Sequence, residues 1–182
     1  PPQHTGHVQS AGVHTWAEDL SARSFEMEDN NTIVSRLKND YLILFMGHTR
    51  LDIYNVIHGI NILDDTVKYL DHAPGRLSSV SLRDWAGYIK FADHFLGCDS
   101  VGQHLAKAVG QKATVVMGGT FPINGSWPND DKITIFDLGK DRRIFDSLRI
   151  VRDYNIFVAN NGIMKMNDVI IDKIINNIVS CS

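Results

Sequence analysis

Asp99, Ser100 and His104 fall within one short stretch, directly after the apolar run HFLGC at His94–Cys98. They fall where a strand hands over to a helix, a place suited to holding an anion. The first four N–H groups of a helix lack internal partners, and the helix dipole adds partial positive charge there. Such an end attracts phosphate. Backbone N–H groups from Ser100 through Val101 to Gly102 would open this helix, and glycine at 102 admits a ligand close to the backbone. His104 lies in the first turn, within reach of the same ligand. A second turn, Gly118-Gly119-Thr120, closes the β-branched run ATVVM at Ala113–Met117. Both turns fall at the carboxyl ends of strands, the rim where open α/β sheets bind ligands.

The elements that hold these residues follow from periodicity. SVGQHLAKAVG has helical spacing, with Val101, Leu105, Ala108 and Val109 recurring at i, i+4, i+7 and i+8 as the expected inner face. Ser100 followed by Gln103 matches a capping box, and Gly110 is placed to end the helix in a left-handed conformation. A helix returning from one strand to the next is a βαβ unit, whose strands are parallel.

The pattern Asp99-Ser100-x-x-x-His104-Leu105-Ala106-x-Ala108-x-Gly110, then a β-branched strand and Gly119-Thr120-x-Pro122, resembles glycosyltransferase family 9. Those are the heptosyltransferase-like enzymes of the GT-B fold. The resemblance runs from His4 to about Asp137 and covers the nucleotide-binding, carboxyl-terminal half of such enzymes. It departs from the family at Val101, where glycine is usual. It implies an α/β fold: a Rossmann-like three-layer α/β/α domain with a mostly parallel sheet, one half of a GT-B enzyme. It further implies that Asp99, Ser100, His104 and the Gly119-Thr120 turn surround the diphosphate of a nucleotide-sugar donor. His14 stands about where the family has a basic residue that contacts the diphosphate, and Asp52 near an acidic residue that holds the ribose. Sugar transfer to an acceptor hydroxyl would then proceed without a metal in the catalytic step and with no cofactor beyond the donor. The base would come from an amino-terminal acceptor-binding domain or partner chain.

Structural readings stand beside these. Asp99 is also an ordinary turn aspartate, His104 a satisfied histidine at the edge of a buried face, His14 an exposed loop histidine and Asp52 a helix-start aspartate suited to the dipole. Trp127, in the loop Ile123–Pro128, either stacks on a base or closes the core edge. A non-catalytic nucleotide- or phosphate-binding module of a larger assembly would share the same site. A nicotinamide-dependent enzyme is disfavoured, because no strand is followed by GxGxxG with an acid about 20 residues on.

Composition narrows the rest. With 43% hydrophobic and 21% charged residues and a net charge of −3, the 182-residue chain suits one globular domain and disfavours general nucleic-acid binding. No apolar run approaches the roughly 20 residues that cross a bilayer. The two cysteines, Cys98 and Cys181, read as free thiols of a reducing, cytoplasmic compartment. Eight histidines are scattered without a ligand pair, so no metal site is expected. The chain opens Pro1-Pro2 without methionine, and an upstream portion is expected.

Along the chain, residues 1–29 read as an irregular segment with a short helix near Trp16–Ser21. Asn30 or Asn31 caps a helix to Lys38, and Tyr41–Met46 and Val67–Leu70 are strands. A helix spans about Leu51–Ile62, and another Ser81–Lys90 with Leu82, Trp85 and Ile89 as its buried stripe. Lys132–Phe136 is a strand, Gly139–Arg152 is charged and partly helical, and Tyr154–Val158 is an apolar run of open type. Asn167-Asp168 caps a final helix over about 167–180.

Overall fold

The computed structural model describes residues 9–14, 25–47, 67–71, 81–143 and 162–181. Six strands form one sheet: β1 (Gln9–His14), β2 (Tyr41–Gly47), β3 (Val67–Asp71), β4 (His94–Cys98), β5 (Ala113–Met117) and β6 (Ile133–Asp137). Their order is β3-β2-β1-β4-β5-β6, and every neighbouring pair is parallel. From β1 the chain steps outward to β2 and β3, then returns to the other side of β1 as β4. The strand order therefore reverses between β1 and β4, and the carboxyl end of such a switch point is where open α/β sheets bind ligands.

Helices cover both faces. α1 (Met27–Leu37) and α5 (Asp168–Cys181) lie on one, α2 (Leu82–Phe91) and α3 (Val101–Val109) on the other, and a single turn, α4 (Pro122–Gly125), follows β5. Alternation along the strands feeds two cores. Leu96, Cys98 and Val116 pack with Ile33, Leu37, Ile174 and Ile178, whereas Phe95, Val115 and Met117 pack with Trp85, Ile89 and Ala106. β4 and β5 are buried along their whole lengths, as parallel strands covered on both faces must be. Each large side chain so buried contributes about 1.5–3 kcal/mol.

Several elements stand as expected. Gly110 ends α3 at φ 71°, and Ser81 and Asp84 form a reciprocal capping box at α2. Asn167 Oδ1 accepts from the Ile170 N–H at the start of α5. Residues 1–29 are not irregular throughout, because β1 occupies Gln9–His14 in the middle of the sheet. QSAGVH is dominated by small residues, so no apolar run marks it; its place comes from backbone pairing along both edges. α1 starts at Met27 rather than at Asn30. Asp29 and Asn30 are buried inside it, and Asp29 Oδ2 accepts from the Met166 N–H at 2.8 Å, anchoring the segment that leads to α5. Leu82 is exposed, so the packed stripe of α2 is Trp85 and Ile89.

The inner face of α3 is also rotated from the expected one. Gly102, Gln103 and Ala106 are buried, Leu105 and Val109 half-buried, and Val101 and Ala108 exposed. Gly102 and Ala106 lie one turn apart and carry little bulk, which lets the helix settle close to β4 and β5. The expected helices near Trp16–Ser21 and Leu51–Ile62 and the run Tyr154–Val158 lie outside the described residues.

Candidate functional site

Strand register brings the two turns to one rim. His14, the last residue of β1, pairs with Gly97, and Cys98 pairs with Val116. The chain therefore leaves β1, β4 and β5 at adjacent points, with Asp99-Ser100 beside the Gly118–Thr120 turn. Ser100 is extended (φ −155°, ψ 179°) and the helix begins at Val101. Val101 and His104 are exposed, Ser100, Gly119 and Thr120 half-buried, Asp99 and Gly102 buried. The structure thus gathers Asp99, Ser100, Val101, Gly102, His104, Gly119 and Thr120. It carries the His14 backbone to the same rim, and Asp52 lies outside the described residues.

The expected capping box does not form. The Ser100 side chain makes no cap hydrogen bond. Gln103 turns inward instead, and its Nε2 donates to Asp99 Oδ1 at 3.1 Å and to the Gly125 carbonyl at 2.8 Å. This amide ties α4 to Asp99, a residue that is 4% exposed. A Cβ on Gly125 would meet Thr120 Cγ2 at 2.9 Å, Met117 Cε at 3.2 Å and Asp99 Oδ1 at 3.3 Å, so glycine lets these segments approach without displacing those side chains. Asp99 supports the site from beneath. The opening amides of α3, left without a side-chain cap, keep the capacity to receive an anion.

Arg143 is the residue that pattern reading missed. Its Nε donates to the Gly118 carbonyl at 2.7 Å and its Nη2 to the Thr120 carbonyl at 2.8 Å. Both Nη atoms bond the Asp137 carboxylate, and the guanidinium lies 4.6 Å from the centroid of Phe121. In the sequence it is one cation in a charged stretch, which reads as a solvated surface. The available signal was Asp137, an acid ending β6 at the same rim, with Gly139 two residues on.

Trp127 is not core. It is 42% exposed, edge-on to His104 with ring centroids 6.0 Å apart and planes at 84°. Lys107 lies 5.7 Å from the Trp127 ring centroid and pairs with Asp130, whose carboxyl that hydrogen bond holds below its ordinary range. Lys107, Trp127 and Asp130, with Ile123, Ser126, Pro128 and Asn129, border a shallow hollow of about 350 Å³ beside the last turn of α3. Among the described residues no three His, Cys, Asp or Glu side chains converge as a metal site would require. None of the helices described is long and apolar enough to cross a membrane.

A parallel sheet in this order, helices on both faces and a helix opening at the switch point define a Rossmann-like α/β/α domain of the kind that builds GT-B glycosyltransferases. Solved structures agree. The chain superposes on a family 9 glycosyl transferase from Veillonella parvula DSM 2008 with a TM-score of 0.66 at 13% identity, covering 98% of this chain and 48% of that one. It superposes on the E. coli ADP-heptose lps heptosyltransferase II with a TM-score of 0.64 at 13% identity, covering 97% and 47%. With the E. coli heptosyltransferase WaaC, solved with ADP, the score is 0.58 at 14% identity, covering 73% and 39%. The chain has the fold of the heptosyltransferase-like glycosyltransferases and spans about half the length of these neighbours. No family model and no curated protein matches the sequence.

Proposed function

We propose that this chain is the donor-binding half of a glycosyltransferase of the family 9 kind, and that it holds a nucleoside-diphosphate sugar by its diphosphate. The observation that carries this reading is the opening of α3. It is an uncapped helix amino end at the switch point of a parallel sheet, facing a glycine turn from the next strand. The leaving diphosphate gains negative charge as the glycosidic bond breaks, and preorganised donors lower the energy of that charge. The amides near Ser100–Gly102, the Ser100 hydroxyl, His104 and the Gly119-Thr120 turn are those donors. This stabilisation needs no metal, and the step is proposed to run without one. His14 is proposed as a further contact to the diphosphate and Asp52 as the contact to the ribose. One structural neighbour was solved with ADP, which supports a nucleotide in this position.

The base that would deprotonate the acceptor hydroxyl is not among the residues gathered here. It is assigned to an acceptor-binding domain or partner chain, and the two free cysteines suit a reducing, cytoplasmic setting. Donor binding with little or no transfer is the outcome expected of this chain by itself. Calorimetry with a nucleoside diphosphate tests the reading. Binding should weaken by about tenfold or more in His104→Ala, in line with loss of a hydrogen bond to a charged group. Unchanged affinity would remove His104 from the site. A second reading, a non-catalytic nucleotide-binding module, is favoured by the same missing base. It predicts equal binding but no transfer after an acceptor domain is supplied.

A further inference from the structure

Resting on the donor-binding reading above, we infer that Arg143 is a positioning residue. It aims the backbone amides of Gly119 and Phe121 at the diphosphate, giving the anion a second cradle opposite the opening of α3. The Arg143 side chain is 5% exposed and every arm of its fork is engaged. A guanidinium is planar and its donors are fixed relative to one another. Neither the Gly118 nor the Thr120 carbonyl can therefore turn away without losing a charge-assisted bond.

The consequence lies on the other side of each peptide. No peptide bond described is cis. In a planar trans peptide the carbonyl and the following N–H point in opposite directions. Because the carbonyls of Gly118 and Thr120 point at Arg143, the N–H groups of Gly119 and Phe121 point away from it. Among the described residues neither N–H donates a hydrogen bond. Asp137 and Arg143 approach β5 from the β6 side, and α3 opens on the β4 side. The side left to the two amides is the one toward Ser100, where Thr120 and Asp99 already converge on Gly125. Asp137 offsets the guanidinium charge, so Arg143 acts through the peptides it orients and does not itself meet the ligand.

The experiment is an amide-resolved ¹⁵N NMR titration of the chain with inorganic pyrophosphate, repeated with a nucleoside diphosphate. In the unmodified protein the Gly119 and Phe121 resonances should move together with those of Val101 and Gly102. In Arg143→Lys, whose point charge cannot span two carbonyls and a carboxylate, Val101 and Gly102 should still move. Gly119 and Phe121 should not, and pyrophosphate should bind about tenfold more weakly. Asp137→Asn, which loosens the fork without removing it, should show the same selective loss and serves if Arg143→Lys does not fold. Shifts at Val101 and Gly102 alone in the unmodified protein would overturn the inference while leaving donor binding intact. Full shifts and affinity in both variants would reduce Arg143 to a structural staple. No shift with either ligand would overturn the donor-binding reading as well.

Discussion

A side chain at position 139 would have no room. A Cβ there would clash with the Gly118 carbonyl oxygen and lie 2.6 Å from the Arg143 guanidinium carbon. Glycine is thus the residue that lets the arginine cross from beyond β6 to the turn after β5. Gly139→Ala should destabilise the protein by about 1–3 kcal/mol, the usual range for overpacking a tight site. Urea unfolding would read this directly, and an unchanged midpoint would mean that Arg143 can be displaced at no cost. At this scale the sequence shows where some residues of the candidate site lie. Ser100, Gly102 and His104 stand at the rim because strand-end and helix-start signals are local. The roles of Gln103 and Arg143 were illegible, because each side chain bonds groups roughly 20 or more residues away.

At the scale of elements, a buried polar chain joins the sheet to α5. His94 Nε2 meets Thr114 Oγ1 at 2.8 Å, Thr114 donates to Asn177 Oδ1 at 2.6 Å, and Asn177 Nδ2 donates to Thr134 Oγ1 at 3.3 Å. Since the threonine hydroxyl donates onward, His94 donates through Nε2. Burial, with Lys112 adding to it, lowers the His94 pKa from 6.5 to about 4. The unfolded chain therefore takes up a proton below pH 6.5 that the folded chain refuses until about pH 4. Stability is full above pH 6.5, declines as pH falls through that window, and levels off below it. The loss amounts to about 3 kcal/mol for such a shift. Chemical denaturation between pH 7 and 4 should show this slope, and His94→Gln should flatten it. The Asp84 and Asp130 carboxyls are held below their ordinary 3.8, so their contributions vanish in a lower window, whereas burial raises the Asp29 carboxyl, which works against the His94 slope as pH falls.

For the whole molecule, the strand order places the candidate site at one end of a sheet whose two cores lie elsewhere. A ligand that binds only the folded state at about a hundred times its Kd adds about 2.7 kcal/mol of stability. For a chain of this size that raises Tm by roughly 5–10 °C. A nucleoside diphosphate should produce this shift in a thermal melt, and the nucleoside alone should produce much less. Equal shifts would move the binding energy from the diphosphate cradle to the base.

Read alone, the residues determined the alternation of strand and helix, the parallel connection through α3, its start just after Ser100 and its end at Gly110, and the family resemblance that the fold bears out. Each of these rests on neighbours in the chain: apolar periodicity, turn chemistry and cap positions. Tertiary structure alone decided that the inconspicuous QSAGVH is a central strand, that α3 turns Gln103 inward, and that an arginine beyond β6 holds the turn after β5. Those outcomes depend on which backbone edges pair and which buried polar groups find partners across the fold, energies that arise only once distant segments meet.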